Sequence, residues 1–263
     1  MKHALIGYSG FVGTTLLKQA SFDSLYRSTT IAKIIGQSFE RVVCAAAPAQ
    51  KWIANREPEA DRATIDGLIE HLKSLTCEMF VLISTVDVFN NPIGIDEDTA
   101  VAEAGLHAYG LHRLLLEKFV ADHFANHLIV RLPGLVGPGL RKNVIFDLLN
   151  DNNLHTIDSR GVFQFYPMVN LWFDIRTALE AGLKMVHLTA EPITVAEVAE
   201  EGFGKKFEQI VVHSPATYDL RSRHAEVFGG HGPYQYSKRE TIQAIRAYAQ
   251  SEPVTTMAKA EAG

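Results

Sequence analysis

The sequence predicts an α/β protein: a doubly wound parallel sheet in residues 1–140, followed by a smaller C-terminal lobe in residues 141–250. Two observations favour this class. Short apolar runs that end in turn residues alternate with segments of helical spacing, which is typical of parallel strands joined by helices. The first apolar run also passes directly into a glycine-rich turn. The polar, alanine-rich end, residues 251–263, predicts a frayed tail.

Composition excludes several classes of protein. The chain has 263 residues, of which 47% are hydrophobic and 21% charged, with a net charge of −5, as in ordinary globular proteins. No basic stripe is visible, so a nucleic-acid partner is not expected. No apolar run reaches the roughly 18 residues of a membrane span, and no signal peptide is evident. The two cysteines lack metal-ligand or disulfide spacing, so no metal site is expected. Together these features predict a cytoplasmic protein.

The N-terminal stretch Lys2–Gly13 predicts a strand, a tight turn and the start of a helix. Gly7 suits the turn, Gly10 lets a phosphate approach the backbone, and Gly13 lets the helix pack against the strand. The free N–H groups and the dipole of the helix would face the anion. The spacing differs from the common dinucleotide fingerprint, so on its own it also fits a plain tight turn. The predicted cofactor contacts here are Gly7, Ser9, Gly10, Phe11, Val12 and Gly13.

A second strand is predicted over Phe22–Arg27, and its end would meet the ribose of a bound dinucleotide. The window from Arg27 to Lys33 holds no acid that could accept from a 2′-hydroxyl. Its cationic and hydroxyl side chains suit a 2′-phosphate better, by charge and hydrogen bonding. The window therefore slightly favours NADP over NAD, although a solvated basic loop would have the same composition.

The next strand is predicted over Arg41–Pro48, and its small end residues would leave room for a ligand lying across it. These residues, Ala45, Ala46 and Ala47, are predicted cofactor contacts. We predict a loop over residues 51–60. Further strands are predicted over 79–84, 127–132 and 185–189, the last of which could return to the sheet, and helices over 63–75, 107–121 and 194–201.

Chemistry is expected at the carboxyl ends of the strands, where ligands of open parallel sheets bind. Ser84-Thr85 and Pro133-Gly134 both end predicted strands, as the glycine turn does. Tyr109 and Arg113 are four residues apart and share one helical face. A fixed positive charge lowers the pKa of a phenol, and a hydroxyl at position 85 could hold a substrate oxygen while the phenol passes a proton. Taken alone, the same stripe is more simply the polar face of an exposed helix.

The order of these motifs over residues 1–200 resembles the extended short-chain dehydrogenase/reductase family of sugar-nucleotide epimerases, dehydratases and reductases. The matching segments are Gly7-x-x-Gly10-x-x-Gly13, Cys44–Ala47, Ser84-Thr85 with Phe89, Tyr109-x-x-x-Arg113, Arg131–Gly139 and Leu188–Val198. The resemblance implies a Rossmann-type fold, NADP or NAD as cofactor and a small-molecule substrate. It implies that Tyr109 is the general acid–base and that Thr85 bonds the substrate oxygen. Arg113 would touch the nicotinamide ribose and lower the Tyr109 pKa.

The resemblance also extends to weaker expectations. Asp87 falls where dehydratases of the group place an extra acid, and Gln164 and Tyr166 lie in the substrate-side region. Pro133 and Gly134 would line the cofactor. The helices predicted over 63–75 and 107–121 could pair with a second subunit, as their equivalents in the family often do.

The main departure from the family pattern is Arg113, which stands where the family has lysine. A guanidinium keeps the charge but does not release a proton in practice. Three functions therefore stay open. The first is an NAD(P)-dependent oxidoreductase or epimerase for a small hydroxyl or carbonyl compound, a sugar derivative among the candidates. The second is an NAD(P)-binding module with weak or lost catalysis, such as a redox-responsive regulator. The third is a binding protein for another phosphorylated ligand.

Overall fold

The computed structural model describes residues 2–254, and within them six strands form one parallel sheet. The strands in chain order are β1 (His3–Ile6), β2 (Ser24–Tyr26), β3 (Ser38–Cys44), β4 (Thr76–Thr85), β5 (Ile93–Ile95), β6 (His127–Leu132), β7 (Gly134–Val136), β8 (Val162–Phe163), β9 (Phe165–Pro167), β10 (Met185–His187), β11 (Ile193–Thr194) and β12 (Asp219–Leu220). The helices are α1 (Phe11–Gln19), α2 (Lys51–Arg56), α3 (Pro58–Leu72), α4 (Ala108–His123), α5 (Val144–Asn150), α6 (Leu171–Glu180), α7 (Val195–Glu197) and α8 (Lys238–Ser251).

The order of strands across the main sheet is β2-β1-β3-β4-β6-β10, and all neighbouring pairs are parallel. The chain moves from β1 to β2 in one direction and then crosses to β3 on the other side, so the sheet is doubly wound. The predicted fold class is confirmed. Ligands of such sheets bind outside the carboxyl ends of the strands, at the point where the order reverses. Here that point lies between β1 and β3.

Two apolar cores cover the two faces of the sheet. On one face, α3 and α4 contribute buried residues such as Ile65 and Leu116. On the other face, α1 and α6 contribute buried residues such as Leu16 and Ile175. At the end of β3, Val42 and Cys44 lie in one core and Val43 between them lies in the other, as the pleat of a strand requires. The helices that cover the sheet therefore fix the edge at which the strands end.

The predicted loop over residues 51–60 is wrong, because α2 and the start of α3 occupy it. Pro58 is the first residue of α3, where the missing N–H costs nothing because no helical partner exists at that position. Helix α3 consequently begins five residues before the predicted start at residue 63. Strand β6 has the predicted bounds, and α4 begins one residue after its predicted start.

The lobe does not begin cleanly at residue 141. Helix α6 packs on the sheet, and β10 pairs in parallel with β6 at the edge of the same sheet. The predicted late strand thus returns to the sheet. The lobe consists of chain segments that precede α6 and segments that follow β10. Its core includes Val136, Ile145, Phe165, Ile242 and Ile245. Of the predicted tail, residue 251 ends α8, and residues 255–263 lie outside the described residues.

Within residues 2–254, no helix is long and apolar enough to cross a membrane. The same residues contain no group of three His, Cys, Asp or Glu side chains that could hold a metal ion. Both cysteines are free thiols. Burial raises the pKa of Cys44 to about 11 and that of Cys77 to about 12, so both remain protonated at neutral pH.

Candidate functional site

The fold requires two of the three glycines of the first turn, and the third leaves space for a ligand. Gly7 has φ +85°, and a Cβ there would lie 2.4 Å from the carbonyl oxygen of Ala45. A Cβ on Gly13 would lie 2.1 Å from the carbonyl oxygen of Gly7. A Cβ on Gly10 would meet only that same carbonyl oxygen, at 3.6 Å, which is an ordinary contact. The fold therefore explains Gly7 and Gly13, whereas at Gly10 the missing side chain leaves open space in front of the helix.

Helix α1 begins without a cap from any side chain. Gly10 is its N-cap residue, and its first turn contains no acid. The N–H groups of a first helical turn have no partner within the helix, and they lie at the positive end of the helix dipole. Ser9 and Gly10 are exposed, and Phe11 and Val12 are half-buried. This arrangement can hold an anion such as a pyrophosphate.

Other predicted cofactor residues lie on both sides of the glycine turn. The N–H of Gly7 donates to the carbonyl of Tyr26 at 2.8 Å, which ties the end of β2 to the turn. Arg27 follows directly and is exposed, with its Nε donating to the Thr29 hydroxyl at 3.0 Å. On the other side, Ala45 follows β3, and its N–H donates to the carbonyl of Ile6 at 2.8 Å. Ala46 and Ala47 come next, and all three alanines are half-buried.

Tyr109 and Thr85 meet where β4 ends and α4 begins. Thr85 is the last residue of β4, and Tyr109 is the second residue of α4. The Thr85 hydroxyl lies close enough to the Tyr109 phenol to favour its ionised form, and so it lowers the pKa of Tyr109. Tyr109 is 9% exposed, so its ring is largely removed from water. This pair brings together the two predicted catalytic hydroxyl groups.

Three contacts fix the start of α4 on the end of β4. The Nδ1 of His107 caps the helix by accepting from the N–H of Gly110 at 3.0 Å. A Cβ on Gly110 would lie 2.1 Å from the carbonyl oxygen of Asp87, so the two backbones are in close contact. The N–H of Tyr109 donates to Oδ1 of Asn55 in α2, at 3.0 Å. Helix α2, which the sequence did not predict, thus helps to position Tyr109.

The net pKa of Tyr109 is raised above its ordinary value of about 10. Burial is the largest cause. The positive charge of Arg113 lowers the pKa and the carboxylate of Asp87 raises it, while Thr85 and Lys51 lower it by smaller amounts. The predicted lowering by Arg113 is present, but burial outweighs it. Tyr109 is therefore a neutral phenol at physiological pH.

Arg113 is enclosed by groups of the protein itself. It is 2% exposed, and its guanidinium carbon lies 4.0 Å from the centroid of the Tyr109 ring. Its Nη1 and Nη2 donate to the two carboxylate oxygens of Asp61 at 2.5 and 2.9 Å, and Nη2 also donates to the carbonyl of Pro48 at 2.5 Å. The terminal nitrogens of Arg113 already have protein partners, whereas its buried Nε has none among the residues that the structure describes, and the predicted contact with a nicotinamide ribose stays a prediction.

Asp61 is a site residue that sequence reasoning missed. It is 7% exposed, and it also contacts Nδ1 of His112 at 2.7 Å. Burial raises the pKa of Asp61, but hydrogen bonds from Arg113 and His112 lower it by more, so the net pKa is below its usual range. No sequence pattern singled out Asp61, because it lies 52 residues from Arg113 along the chain.

Asp87 belongs to a polar cluster with Lys51 and Tyr218. Its Oδ1 accepts from Nζ of Lys51 at 2.7 Å and from the hydroxyl of Tyr218 at 3.3 Å. Its N–H donates to the Thr85 hydroxyl at 3.2 Å. The two cluster partners escaped prediction, since Lys51 fell in a predicted loop and Tyr218 in a segment without a clear pattern. Asp87 therefore lies beside the predicted catalytic pair.

Gln164 and Tyr166, which were predicted to contact substrate, are buried in the protein. Gln164 is 1% exposed, and its amide bonds the backbone of Ala190 and Leu220 at 2.6–2.7 Å. Tyr166 is 0% exposed and donates to Asp174 at 2.5 Å. This prediction is corrected, because aromatic and amide side chains in this segment satisfy buried backbone and carboxylate groups instead of facing a ligand.

Pro133 and Gly134 lie at the end of β6, on the expected edge of the sheet. Pro133 is buried and Gly134 half-buried. A Cβ on Gly134 would lie 2.6 Å from the carbonyl oxygen of Gln164, so the close approach of β9 explains this glycine. A cofactor contact at these two residues stays a prediction.

No protein-family model and no curated protein sequence matches this chain. Solved structures do resemble it. A dTDP-4-dehydrorhamnose reductase from Clostridium acetobutylicum matches with a TM-score of 0.69 and 18% identity, over 95% of this chain and 99% of that one. RMD from Pseudomonas aeruginosa, complexed with NADPH, matches with a TM-score of 0.71 and 17% identity, over 96% and 100%. A UDP-galactose 4-epimerase matches with a TM-score of 0.72 and 16% identity, over 95% and 98%. At these identities the likeness shows the fold, and the chain has the Rossmann-type fold of these reductases and epimerases, the group that its motifs resemble.

Proposed function

We propose that the protein is an NAD(P)-dependent oxidoreductase that reduces the carbonyl group of a small polyhydroxylated substrate, such as a free or nucleotide-linked keto sugar. The observation that carries the proposal is the placement of Tyr109 at the start of α4 beside Thr85 at the carboxyl end of β4, close enough for the Thr85 hydroxyl to lower the pKa of the phenol. The glycine turn lies at the carboxyl end of β1 in the same parallel sheet. A proton donor and an anion cradle thus share one edge, which is what hydride transfer from a dinucleotide to a carbonyl requires.

The glycine turn fits the pyrophosphate of a dinucleotide. The space in front of Gly10 is open, and the first turn of α1 has no side-chain cap. RMD is complexed with NADPH, a dTDP-4-dehydrorhamnose reductase from Bacillus anthracis with NADP, and MoeE5 with NAD. These neighbours support a nicotinamide cofactor without separating its two forms. The exposed guanidinium of Arg27 beside the turn favours NADP, because it can pair with a 2′-phosphate.

A reduced nicotinamide bound at this edge would supply the hydride that goes to the carbonyl carbon. The Thr85 hydroxyl holds the carbonyl oxygen, and Tyr109 transfers its hydroxyl proton to that oxygen, so the product is an alcohol. The raised pKa of Tyr109 keeps that proton in place at neutral pH, which suits reduction better than alcohol oxidation. The guanidinium of Arg113 packs on the face of the Tyr109 ring and stays hydrogen-bonded to Asp61.

The test combines cofactor binding with a substrate screen. Nicotinamide fluorescence is followed while the protein is titrated with NADPH and NADH, and carbonyl compounds, including nucleotide-linked keto sugars, are then screened by loss of NADPH absorbance. We expect tighter binding of NADPH, and turnover that Tyr109→Phe abolishes without weakening cofactor binding. If neither nucleotide binds, the proposal is wrong and the turn serves another phosphorylated ligand.

The burial of Arg113 favours a second candidate, an NAD(P)-binding module with weak or lost catalysis that acts as a redox-responsive regulator. An arginine fixed on Asp61 cannot return a proton to Tyr109. This candidate predicts binding of NADPH without turnover on any carbonyl compound. Robust turnover that depends on Tyr109 excludes it.

Pairing of two chains through α3 and α4 stays a prediction. The two helices pack against each other on one face of the sheet, and their outer surfaces would form the interface. Light scattering of the purified protein decides between one chain and two.

A further inference from the structure

Helix α2 presents two polar side chains to the catalytic pair from one face. Lys51 and Asn55 are four residues apart, so they lie on the same side of the helix. Asn55 accepts from the N–H of Tyr109 at 3.0 Å, and Lys51 donates to the Asp87 carboxylate at 2.7 Å. One short helix therefore holds both the backbone of the phenol and the carboxylate beside it.

Asp87 is the carboxylate whose charge acts against ionisation of Tyr109. It follows Thr85 by two residues, and its backbone is in close contact with the start of α4. Its side chain is 18% exposed, so water screens its charge only in part. An unpaired carboxylate at this position would make the phenolate of Tyr109 harder to form, because like charges repel.

Lys51 is the ion-pair partner of Asp87 among the described residues. The other charges around the site are otherwise engaged: Arg113 is matched by Asp61, and Lys142 donates to the carbonyl of Ala49. His107 has a pKa lowered chiefly by burial, so it is neutral at physiological pH. Tyr218 closes the cluster from the C-terminal lobe, with its hydroxyl 3.3 Å from Asp87 and 3.5 Å from Lys51.

We infer that Lys51 is a positioning residue for Tyr109, because it holds and neutralises the Asp87 carboxylate that would otherwise stand as an unpaired charge beside the phenol. Its effect on turnover rests on the proposed function, but its effect on the ionisation of Tyr109 does not. The lysine also fixes the hydroxyl of Tyr218, so the lobe and the sheet are joined at the point where the proton is transferred.

The experiment measures ionisation of Tyr109 directly. The 8 tyrosines are replaced by a fluorinated tyrosine, which ionises at lower pH, and Tyr109→Phe assigns the Tyr109 signal in the ¹⁹F NMR spectrum. We expect Lys51→Met to raise the apparent pKa of Tyr109 and Asp87→Asn to lower it. The double variant Lys51→Met/Asp87→Asn should return close to the wild-type value, since both charges are then removed together. Lys51→Arg keeps the charge and should stay near wild type.

Lys118→Met is the matched control, since Lys118 lies on α4 and pairs with Glu103 at the exposed surface. It should leave the Tyr109 titration unchanged. The inference is overturned if Lys51→Met leaves the pKa of Tyr109 unaltered. It is also overturned if the double variant Lys51→Met/Asp87→Asn does not bring that pKa back toward the wild-type value. If Lys51→Met does not fold, Asp87→Asn decides alone, because it must lower the pKa.

The same variants separate this inference from the proposed function. If the wild type reduces a carbonyl substrate, we expect Lys51→Met to lower kcat about tenfold, with KM little changed and Asp87→Asn restoring part of the loss. If the wild type shows no turnover, the proposed function fails, but the NMR titration still tests Lys51.

Discussion

Tyr109 is a buried phenol whose environment keeps it protonated, and this state gives the reaction a pH dependence. Because its pKa is raised, reduction should proceed at a constant rate through neutral pH and fall only as pH rises through the Tyr109 pKa, above about 10. The measurement is kcat/KM for carbonyl reduction across pH 6 to 10.5, with the folded state checked by circular dichroism. A decline that begins near neutral pH would contradict the burial of this phenol.

Asp61 carries a second prediction at the scale of a residue. Asp61→Asn removes the charge that balances Arg113, which is 2% exposed, and should lower the free energy of unfolding by about 3–5 kcal/mol. Urea unfolding at pH 7 measures the loss. The control is Asp66→Asn, which breaks the exposed pair with Arg62 on the same helix and should cost about 0.5 kcal/mol or less.

The lowered pKa of Asp61 also determines how its contribution to the free energy of unfolding changes with pH. A carboxyl group with a pKa lowered on folding contributes stability above its unfolded pKa of about 3.9, and this contribution is lost as pH falls through the folded value. The difference in unfolding free energy between wild type and Asp61→Asn should therefore shrink in acid. A constant difference between neutral pH and the acid range would show that the Asp61 charge is not responsible.

At the scale of an element, the glycine turn separates fold from binding. Gly13→Ala would bring a Cβ within 2.1 Å of the Gly7 carbonyl, so it should destabilise the protein strongly. Gly10→Ala has room, at 3.6 Å, and should leave the unfolding free energy almost unchanged. Because its methyl group occupies the space in front of α1, Gly10→Ala should weaken NADPH binding by about tenfold or more.

Gly67→Ala on α3 is the control for both glycine variants. Outside the nearby backbone of α3 itself, no atom lies within 4 Å of the added Cβ, so the variant should stabilise the helix by roughly 0.5–1 kcal/mol and leave NADPH binding unchanged. Equal NADPH affinities for Gly10→Ala and Gly67→Ala would refute the cradle at α1.

The elements that could be predicted are those whose residues follow a sequence pattern that acts over only a few positions. Apolar runs ended by turn residues gave β1, β3, β4 and β6, and the glycine spacing gave the turn, because steric rules act within a few residues. Helix α2 and the start of α3 were missed because Pro58 suggested a loop, although a proline suits the first position of a helix. For this reason Lys51 and Asn55, which lie on α2, were not predicted as residues of the site.

For the whole molecule, the partners that connect distant segments could not be predicted from one sequence. The pairing of Asp61 with Arg113 spans 52 residues and that of Asp87 with Tyr218 spans 131, and no local pattern selects such partners. Gln164 was predicted to bind substrate for the same reason, since its backbone partners Ala190 and Leu220 become neighbours only in the folded chain.

Gln164 gives a prediction at this scale. Gln164→Leu has a similar volume, but it leaves buried backbone groups of Ala190 and Leu220 without partners, so unfolding free energy should fall by about 3 kcal/mol. Urea unfolding measures this loss, and NADPH affinity should be unchanged. Gln209→Leu, at an exposed position, should change stability by about 0.5 kcal/mol or less. Lost carbonyl turnover with full stability in Gln164→Leu would instead indicate a substrate contact.

The return of β10 to the sheet has a consequence for how the protein emerges from the ribosome. Strand β6 ends at Leu132, but its outer neighbour β10 begins only at Met185, and α6 precedes it by a few residues. At about 5–20 residues per second, translation leaves the edge of β6, and the part of one apolar face that α6 covers, exposed for several seconds. Nascent chains stalled before this strand should therefore recruit chaperones, and chains stalled well after it should not.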